Sequence, residues 1–315
     1  MKIYINEGGS AYAITAILGV LYAYLTLMAP EPSKVIPGFE MTYIARKVLQ
    51  TTLIVPIILT WFFAIRTVLY TQFYYYHVSK EPQRTFFRLL GFGIGALIGG
   101  FIVATLVGQI RNYNIDNDLV KGAVTIAVNY VYVLSGLVGF GLIYRATRNE
   151  ASKKMDSPNQ NMAVGICLAL IIGVIWALLI FTNTSRQVSD IPGSTASFYI
   201  SDFLIITTVI IPTVVGWFLA VMSALNLSEK GPAVVDQKIR RQFSRLTIGL
   251  WFLLFSLIVL NGILAIGTDR LVRVGLLVVL IIIYFFILLV LLAYWKISKS
   301  IEGLLLEELE VNDSA

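Results

Sequence analysis

The sequence predicts an all-α, polytopic integral membrane protein in which eight transmembrane helices form two tandem, parallel four-helix repeats, with both termini cytoplasmic. Three observations lead to this fold class. Of 315 residues, 57% are hydrophobic and 13% are charged, about half of the ~25% charged fraction of soluble domains. The apolar residues are gathered into blocks of about 20, the length of helix that crosses a bilayer. The segment TTLIVPIILTW at 51–61 is followed by TTVIIPTVVGW at 207–217.

Each apolar block is expected to be a helix. Lipid cannot satisfy free backbone N–H and C=O groups, so only helices and closed barrels cross a membrane. The blocks lack the alternation of apolar and polar residues that barrel strands show. The predicted spans are 11–29, 48–70, 87–109, 121–144, 161–181, 202–225, 246–267 and 272–295.

Basic residues predict the orientation of these spans. An even number of spans places both termini on one side of the membrane. Fifteen Lys and Arg residues lie on that side and eight on the other, with Arg66 inside a span. Because basic residues accumulate in cytoplasmic loops, we expect cytoplasmic termini and a location in the cell (plasma) membrane. The basic loops then face anionic lipid headgroups, and nucleic-acid binding is not expected.

Longer stretches repeat around the matched segments. The preceding loops carry VIPG at 35–38 and DIPG at 190–193, and Gly19 of the first span aligns with Gly173 of the fifth. The offset between matched residues stays between 154 and 157. Such self-similarity indicates duplication, and repeats with an even number of spans point the same way across the membrane. We predict a first repeat at 1–155, a second at 156–299 and an acidic cytoplasmic tail at 300–315.

Each copy of the matched segment carries a proline inside an apolar helix. Proline removes one N–H and displaces the carbonyl four residues earlier, which belongs to Thr52 for Pro56 and to Thr208 for Pro212. In lipid the freed oxygen needs a partner, and the paired threonines supply hydroxyls at that level. The motif is either a structural bend or a substrate-binding site in which the two kinks face each other across the repeat axis. The candidate site comprises Thr51, Thr52, Pro56, Thr207, Thr208 and Pro212.

Two further residue pairs follow from the alignment. Trp61 and Trp217 each lie five residues after a proline, so we expect them to pack beside the kinks. Arg46 aligns with Asp202, which gives equivalent positions opposite charges. These two residues form an ion pair if their helices adjoin; otherwise each is an ordinary interfacial residue, since exposed ion pairs contribute little.

The third span carries small residues at four-residue spacing. Rows of this kind let helix backbones approach closely. We expect a tight contact there, either within the bundle or with another subunit. The helix-packing face comprises Gly91, Gly95, Gly99 and Gly100.

Two regions near the cytoplasmic side have ordinary explanations. Arg66 lies near the end of the second span, from which its long side chain is expected to reach the interface. The tail SIEGLLLEELEVNDSA is acidic and amphipathic, and therefore a poor ligand for the negative inner leaflet. It is expected to be a solvated extension, or to dock on the basic loops or on a partner.

The absence of titratable groups argues against catalysis. The chain has one histidine, His77, and one cysteine, Cys167, so no metal site and no cofactor are expected. No Asp or Glu lies in the middle of a predicted span, although such acids mark proton and cation pathways. The nucleophile, zinc-protease and phosphate-loop motifs are missing from the sequence. We expect the protein not to be an enzyme.

Two functional classes agree with these observations. The first is a transporter or channel-like protein for a neutral or lipid-like solute, which tandem repeats and matched kinks favour. The alternative is a non-catalytic membrane subunit that scaffolds or anchors a multi-protein complex through the small-residue face and the tail. The expected partners are the lipid bilayer, together with further copies of the chain or other membrane subunits.

Overall fold

The computed structural model describes residues 2–28, 40–77, 81–114, 118–151, 158–183, 187–190, 197–199, 206–233, 237–266 and 268–313. Nearly all of these residues are helical. The helices are α1 Lys2–Met28, α2 Glu40–His77, α3 Glu81–Asn114, α4 Asp118–Ala151, α5 Pro158–Asn183, α6 Ile211–Ala233, α7 Gln237–Ile266 and α8 Thr268–Asp313. A π-helical turn, Ile206–Ile210, leads directly into α6.

Seven of these helices are long and apolar enough to cross a membrane, so the protein is a helical, multi-pass membrane protein. Helix α5 has a shorter apolar stretch, Met162–Leu178, and is not one of the seven. The apolar stretches of the seven are Gly9–Met28, Thr51–Phe73, Arg84–Ile110, Ala127–Arg148, Ile206–Ser228, Gln237–Val259 and Ile281–Leu304.

A short antiparallel hairpin departs from the all-α prediction. Its strands are β1 Gln187–Asp190 and β2 Ser197–Tyr199, with Gln187 opposite Tyr199 and a register irregularity before Ser189. The hairpin lies between α5 and α6, and β1 packs on α4. Pairing the two segments satisfies backbone groups of a connection that hydropathy alone assigns to a loop.

Six helices form a closed ring. In order around the ring they are α2, α3, α4, α6, α7 and α8, and each packs on the next, with α8 returning to α2. The remaining two helices lie outside it, α1 against α2 and α3, and α5 against α6 and α7. Among the residues that the structure describes, no helix packs extensively across the ring.

Glycines allow the closest approaches in the ring. A Cβ on Gly93 of α3 would lie 2.6 Å from the Ile143 side chain and 2.8 Å from the Gly139 carbonyl oxygen of α4. A Cβ on Gly249 of α7 would lie 2.7 Å from the Ile297 side chain of α8. Only a residue without a side chain permits these backbone separations.

The predicted small-residue face contacts two neighbours within the bundle. Gly91 lies against Thr71 of α2, and a Cβ on Gly95 would meet Val68 of the same helix. Gly100 lies against Ser135 of α4. Gly99 has open space beside it, with nothing within 4 Å of a Cβ.

The first turn of the predicted tail is packed against the bundle. Helix α8 continues without a break to Asp313. Its Ser300 hydroxyl donates a hydrogen bond to the Gln242 carbonyl of α7 at 2.6 Å, and Ile301 is fully buried. Gly303 lies against the Gln242 side chain. The amphipathic pattern of the tail therefore begins as a packing face on α7.

Replacing Gly93 by alanine tests the α3–α4 contact. We expect Gly93→Ala to lower the free energy of unfolding by about 1–3 kcal/mol, because the new methyl group overlaps a side chain and a backbone oxygen. Gly99→Ala, in the same helix, is the matched control and should leave stability nearly unchanged. Thermal unfolding in detergent measures both; equal effects would contradict the contact.

Candidate functional site

The α3–α4 pair is packed more tightly at one end than at the other, whereas α2 has buried residues, Leu53, Ile54 and Ile57, at both levels. In α3 the last buried residue is Gly100, and every residue from 101 to 110 is half-buried or exposed. In α4 no residue from 127 to 138 is buried, and burial begins at Gly139. Because Gly100 lies against Ser135, the two helices loosen at the same level.

The looser packing extends over several turns. Residues 101–110 cover nearly three turns of α3, and Phe101, Ile102 and Leu106 among them are only partly buried against the core. We call this more accessible end of the ring the recess. Its boundaries are 101–110 of α3, 127–138 of α4, 257–259 of α7 and 281–285 of α8.

The opposite end of the ring, which we call the tight end, holds most of the buried side chains. It comprises the stretches in which burial recurs along each helix: 86–100 of α3, 139–147 of α4, 246–256 of α7 and 286–304 of α8. Leu90, Ile143, Leu253 and Ile297 are almost completely inaccessible. Apolar burial of this kind stabilises one end of the bundle, while the other end stays accessible.

The two prolines have different local structures. Pro56 is buried within the continuous helix α2, and the Thr60 hydroxyl donates to the Pro56 carbonyl at 2.7 Å. Pro212 is half-buried in the first turn of α6, where the N–H that proline lacks is not needed. The preceding turn, Ile206–Ile210, is π-helical, in which a carbonyl pairs with the N–H five residues on.

The threonines of the motif lie at the level of the recess. Thr51 and Thr52 are exposed, and Thr207 and Thr208 are half-buried. The Thr208 hydroxyl forms a hydrogen bond of 2.7 Å with the Tyr130 hydroxyl of α4. It thus connects α4 to the π-helical turn, while repair of the helix kink by the threonine hydroxyls stays a prediction.

The two motifs occupy separate interfaces. Helix α2 packs on α1, α3 and α8, whereas α6 packs on α4, α5 and α7. Of the two motifs, the one on α6 contacts α4, through the bond between Thr208 and Tyr130. Among the described residues, α2 does not pack extensively on α6. The two motifs therefore do not meet through a direct interface between their own helices.

The two tryptophans pack toward the outer helices. Trp61 is fully buried, and its ring centroid lies 5.3 Å from that of Tyr22 in α1. Trp217 makes an edge contact with Trp176 of α5 at 5.2 Å. These aromatic pairs fix α1 and α5 to the ring beside the proline-containing segments.

An ion pair closes the α2–α8 interface at the tight end. Arg66 Nη2 lies 2.7 Å from Glu302 Oε1, and both side chains are about four-fifths buried, with relative exposures of 17% and 19%. Arg66 Nε donates to the Tyr70 hydroxyl at 2.9 Å, and Lys299 Nζ donates to Glu302 Oε2 at 2.8 Å. Arg66 therefore pairs inside the protein.

Sequence reasoning missed Glu302 and Tyr130. Glu302 was assigned to the acidic tail, because hydropathy ends the last span before it. A charged side chain inside a membrane span is rare and usually has a partner of opposite charge. The presence of Arg66 inside a span was therefore the signal that could have pointed to Glu302. Tyr130 was not considered as a site residue. The available signal was that Tyr284, 154 residues later, repeats it in the second half.

The predicted ion pair between Arg46 and Asp202 lies outside the described residues. Asp202 falls between β2 and the π-helical turn, and for Arg46 only the helical backbone is described. Among the described residues, no three His, Cys, Asp or Glu side chains come together in a group that could hold a metal ion. Cys167 is exposed on α5.

Comparison with family models, with curated proteins and with solved structures finds no match for this chain. The site is therefore interpreted from its own chemistry. At the level of the recess it offers neutral hydroxyl groups, which both donate and accept hydrogen bonds, among apolar side chains. Such a surface can hold an uncharged molecule and lacks the paired charges that an ionic one would need.

Removing either partner of the Arg66–Glu302 pair tests its role at the tight end. We expect Glu302→Gln to lower the free energy of unfolding by about 1–3 kcal/mol, because it leaves a largely buried guanidinium without its counter-charge. Thermal unfolding of Arg66→Met, of Glu302→Gln and of the double variant gives the coupling energy. The control is Lys299→Ala, half-exposed in the same cluster, which should change stability little. Additive effects of the two substitutions would contradict the pairing.

Proposed function

We propose that this protein is a transporter or channel-like protein for a neutral or lipid-like solute, with eight membrane-spanning helices in two tandem four-helix repeats. The observation that carries the proposal is the closed ring of six helices, in which α3, α4, α7 and α8 are more tightly packed at one end than at the other. A protein that moves a solute across a membrane needs a compartment inside its bundle that opens to one side at a time.

The packing order supports the repeat. Helices α1, α2, α3 and α4 can be matched in order with α5, α6, α7 and α8. Every pair of helices that packs in the structure is then matched with another pair that also packs: α1–α2 with α5–α6, α3–α4 with α7–α8, and α2–α8 with α6–α4. A bundle of unrelated helices has no reason to possess this symmetry. The equivalence favours a duplicated unit related by an axis along the membrane normal.

Individual contacts support the same relation. A Cβ on Gly19 would meet Ile58 of α2, and a Cβ on the aligned Gly173 would meet Val214 of α6. The aromatic pair Tyr22–Trp61 corresponds to the pair Trp176–Trp217, with centroid distances of 5.3 and 5.2 Å. Equivalent residues thus make equivalent contacts in both halves.

The two halves meet at the α2–α8 and α4–α6 interfaces. The tight end would therefore open by separation of the helices at these two interfaces. At the tight end the first is held by the Arg66–Glu302 ion pair. The second is held by a hydrogen bond of 3.4 Å from Asn226 Nδ2 to Thr147 Oγ1, both buried. Rocking of one half against the other about these interfaces would close the recess and open the tight end.

The chemistry of the spans favours a neutral solute and passive movement. The middle of each predicted span lacks Asp and Glu, the usual residues for coupling to protons or cations. The same lack of acid–base groups is the reason for proposing that the protein is not an enzyme. With the basic loops inside, the tight end faces the cytoplasm and the recess faces outward across the plasma membrane.

A scaffolding subunit is the second candidate. It is favoured by the length of α8, 46 residues, which at 1.5 Å per residue is about 69 Å and more than twice the hydrocarbon layer. The acidic end of this helix then projects from the bundle, where another subunit would bind it. Purification from native membranes in mild detergent separates the two: a stoichiometric foreign subunit favours the scaffold, and a monomer or homodimer favours transport.

Flux through proteoliposomes tests the proposed transport. The assay follows glycerol and erythritol by light scattering and a fluorescent diacylglycerol by quenching. In a Cys167→Ser background, Thr147→Cys with Asn226→Cys places two thiols at the α4–α6 interface. We expect flux of at least one solute, loss of that flux when the disulfide forms, and recovery on reduction. No flux for any solute class, or flux indifferent to the cross-link, would contradict the proposal.

A further inference from the structure

The residues of the hydroxyl pair Tyr130–Thr208 have sequence counterparts at the other interface between the halves. Tyr130 lies thirteen residues before Ile143, which contacts Gly93, and Tyr284 lies thirteen residues before Ile297, which contacts Gly249. Thr208 lies six residues before Val214, as Thr52 lies six before Ile58. Tyr284 and Thr52 therefore correspond by sequence position to Tyr130 and Thr208, on two helices, α8 and α2, that pack together as α4 and α6 do.

The surroundings of both pairs are apolar and accessible. Beside Tyr130 and Thr208, the side chains of Leu134 and Ile211 are about half exposed. Beside Thr52 and Tyr284, those of Val55 and Phe285 are exposed to a similar or greater extent. No charged residue occurs in the sequence from 123 to 138, from 206 to 223, from 51 to 65 or from 281 to 295.

This combination discriminates between classes of neutral solute. A polyol carries several hydroxyl groups, each of which would need a hydrogen-bond partner on leaving water. The α4–α6 interface supplies one pair of hydroxyl groups among apolar side chains, enough for one polar head. An apolar chain attached to that head would gain by covering the exposed aliphatic and aromatic surface.

We infer that the solute is a neutral amphipath, one uncharged hydrogen-bonding head on an apolar chain, and that the protein holds it at two equivalent positions. One position is the Tyr130–Thr208 pair and the other is the Thr52–Tyr284 pair. The inference rests on the proposed transport and names its solute class. Either hydroxyl of the Tyr130–Thr208 bond can donate, so the pair can offer both a donor and an acceptor to an alcohol or amide head.

Photoaffinity labelling of the protein in nanodiscs tests the inference. The probe is a long-chain primary alcohol that carries a diazirine near the hydroxyl and a terminal alkyne. Two matched probes replace the hydroxyl by a carboxylate or by hydrogen. Mass spectrometry of the labelled protein locates each adduct, and an excess of unlabelled alcohol defines the specific fraction.

We expect the alcohol probe to label both interfaces, α4 with α6 and α2 with α8, and to be displaced by the unlabelled alcohol. Tyr130→Phe or Thr208→Val should lower specific labelling of the first interface by about 3- to 10-fold, as the loss of one neutral hydrogen bond predicts. Tyr284→Phe should do the same at the second. Tyr24→Phe, on the exposed side of α1, is the matched control and should change nothing. Unaltered thermal unfolding establishes that each variant is folded.

Equal labelling by the alcohol and the hydrocarbon probe, insensitive to the tyrosine substitutions, would overturn the inference. Specific labelling confined to the α4–α6 interface would overturn the twofold arrangement. The two proposals can fail independently of each other. Labelling that the unlabelled alcohol displaces, without flux of any solute, would support the binding positions and contradict transport. Flux of glycerol or erythritol, without labelling that the alcohol displaces, would support transport of a different class of solute and contradict the inference.

Discussion

The close approach of paired helix backbones at glycine is the constraint on which the rest of the structure depends. Lipid is as apolar as the side chains it would replace, so helices associate through packing at short separation more than through the hydrophobic effect. Gly93 against Gly139 and Ile143, and Gly249 against Ala293 and Ile297, bring α3 to α4 and α7 to α8. These two hairpins hold the tight end together, and α2 and α6 complete the ring between them.

The recess follows from where those contacts stop. Beyond Gly100 and Ser135 the residues of α3 are only partly buried or exposed. At this level the hydrogen bond between Tyr130 and Thr208 connects α4 to the π-helical turn. Hydrogen bonds of this kind are weak in membrane proteins, so this level is held less firmly than the tight end. In the proposed transport, a bound molecule would replace this bond at modest cost.

The helical membrane class could be predicted from the sequence, because the length of an apolar run is a local property; the tandem repeat stays a prediction. The helical membrane class is confirmed, and seven of the predicted spans have counterparts among the membrane-length helices. The site was less predictable, because it depends on which helices meet. The motif at 207–212 contains Thr208, but the hydroxyl that Thr208 contacts, that of Tyr130, comes from another helix. Glu302 was not predicted as the partner of Arg66, because hydropathy ends the last span before position 302.

Accessibility of α3 to water tests the central claim most directly. Single cysteines are placed at positions 89–98 and 101–110 in a Cys167→Ser background, and a small water-soluble methanethiosulfonate reagent is added to both sides of intact membranes. The claim of an internal recess predicts that a subset of 101–110 reacts, on the side of α3 that faces the ring, and that no position in 89–98 does. Equal protection of both stretches would mean that the ring is closed along its whole length.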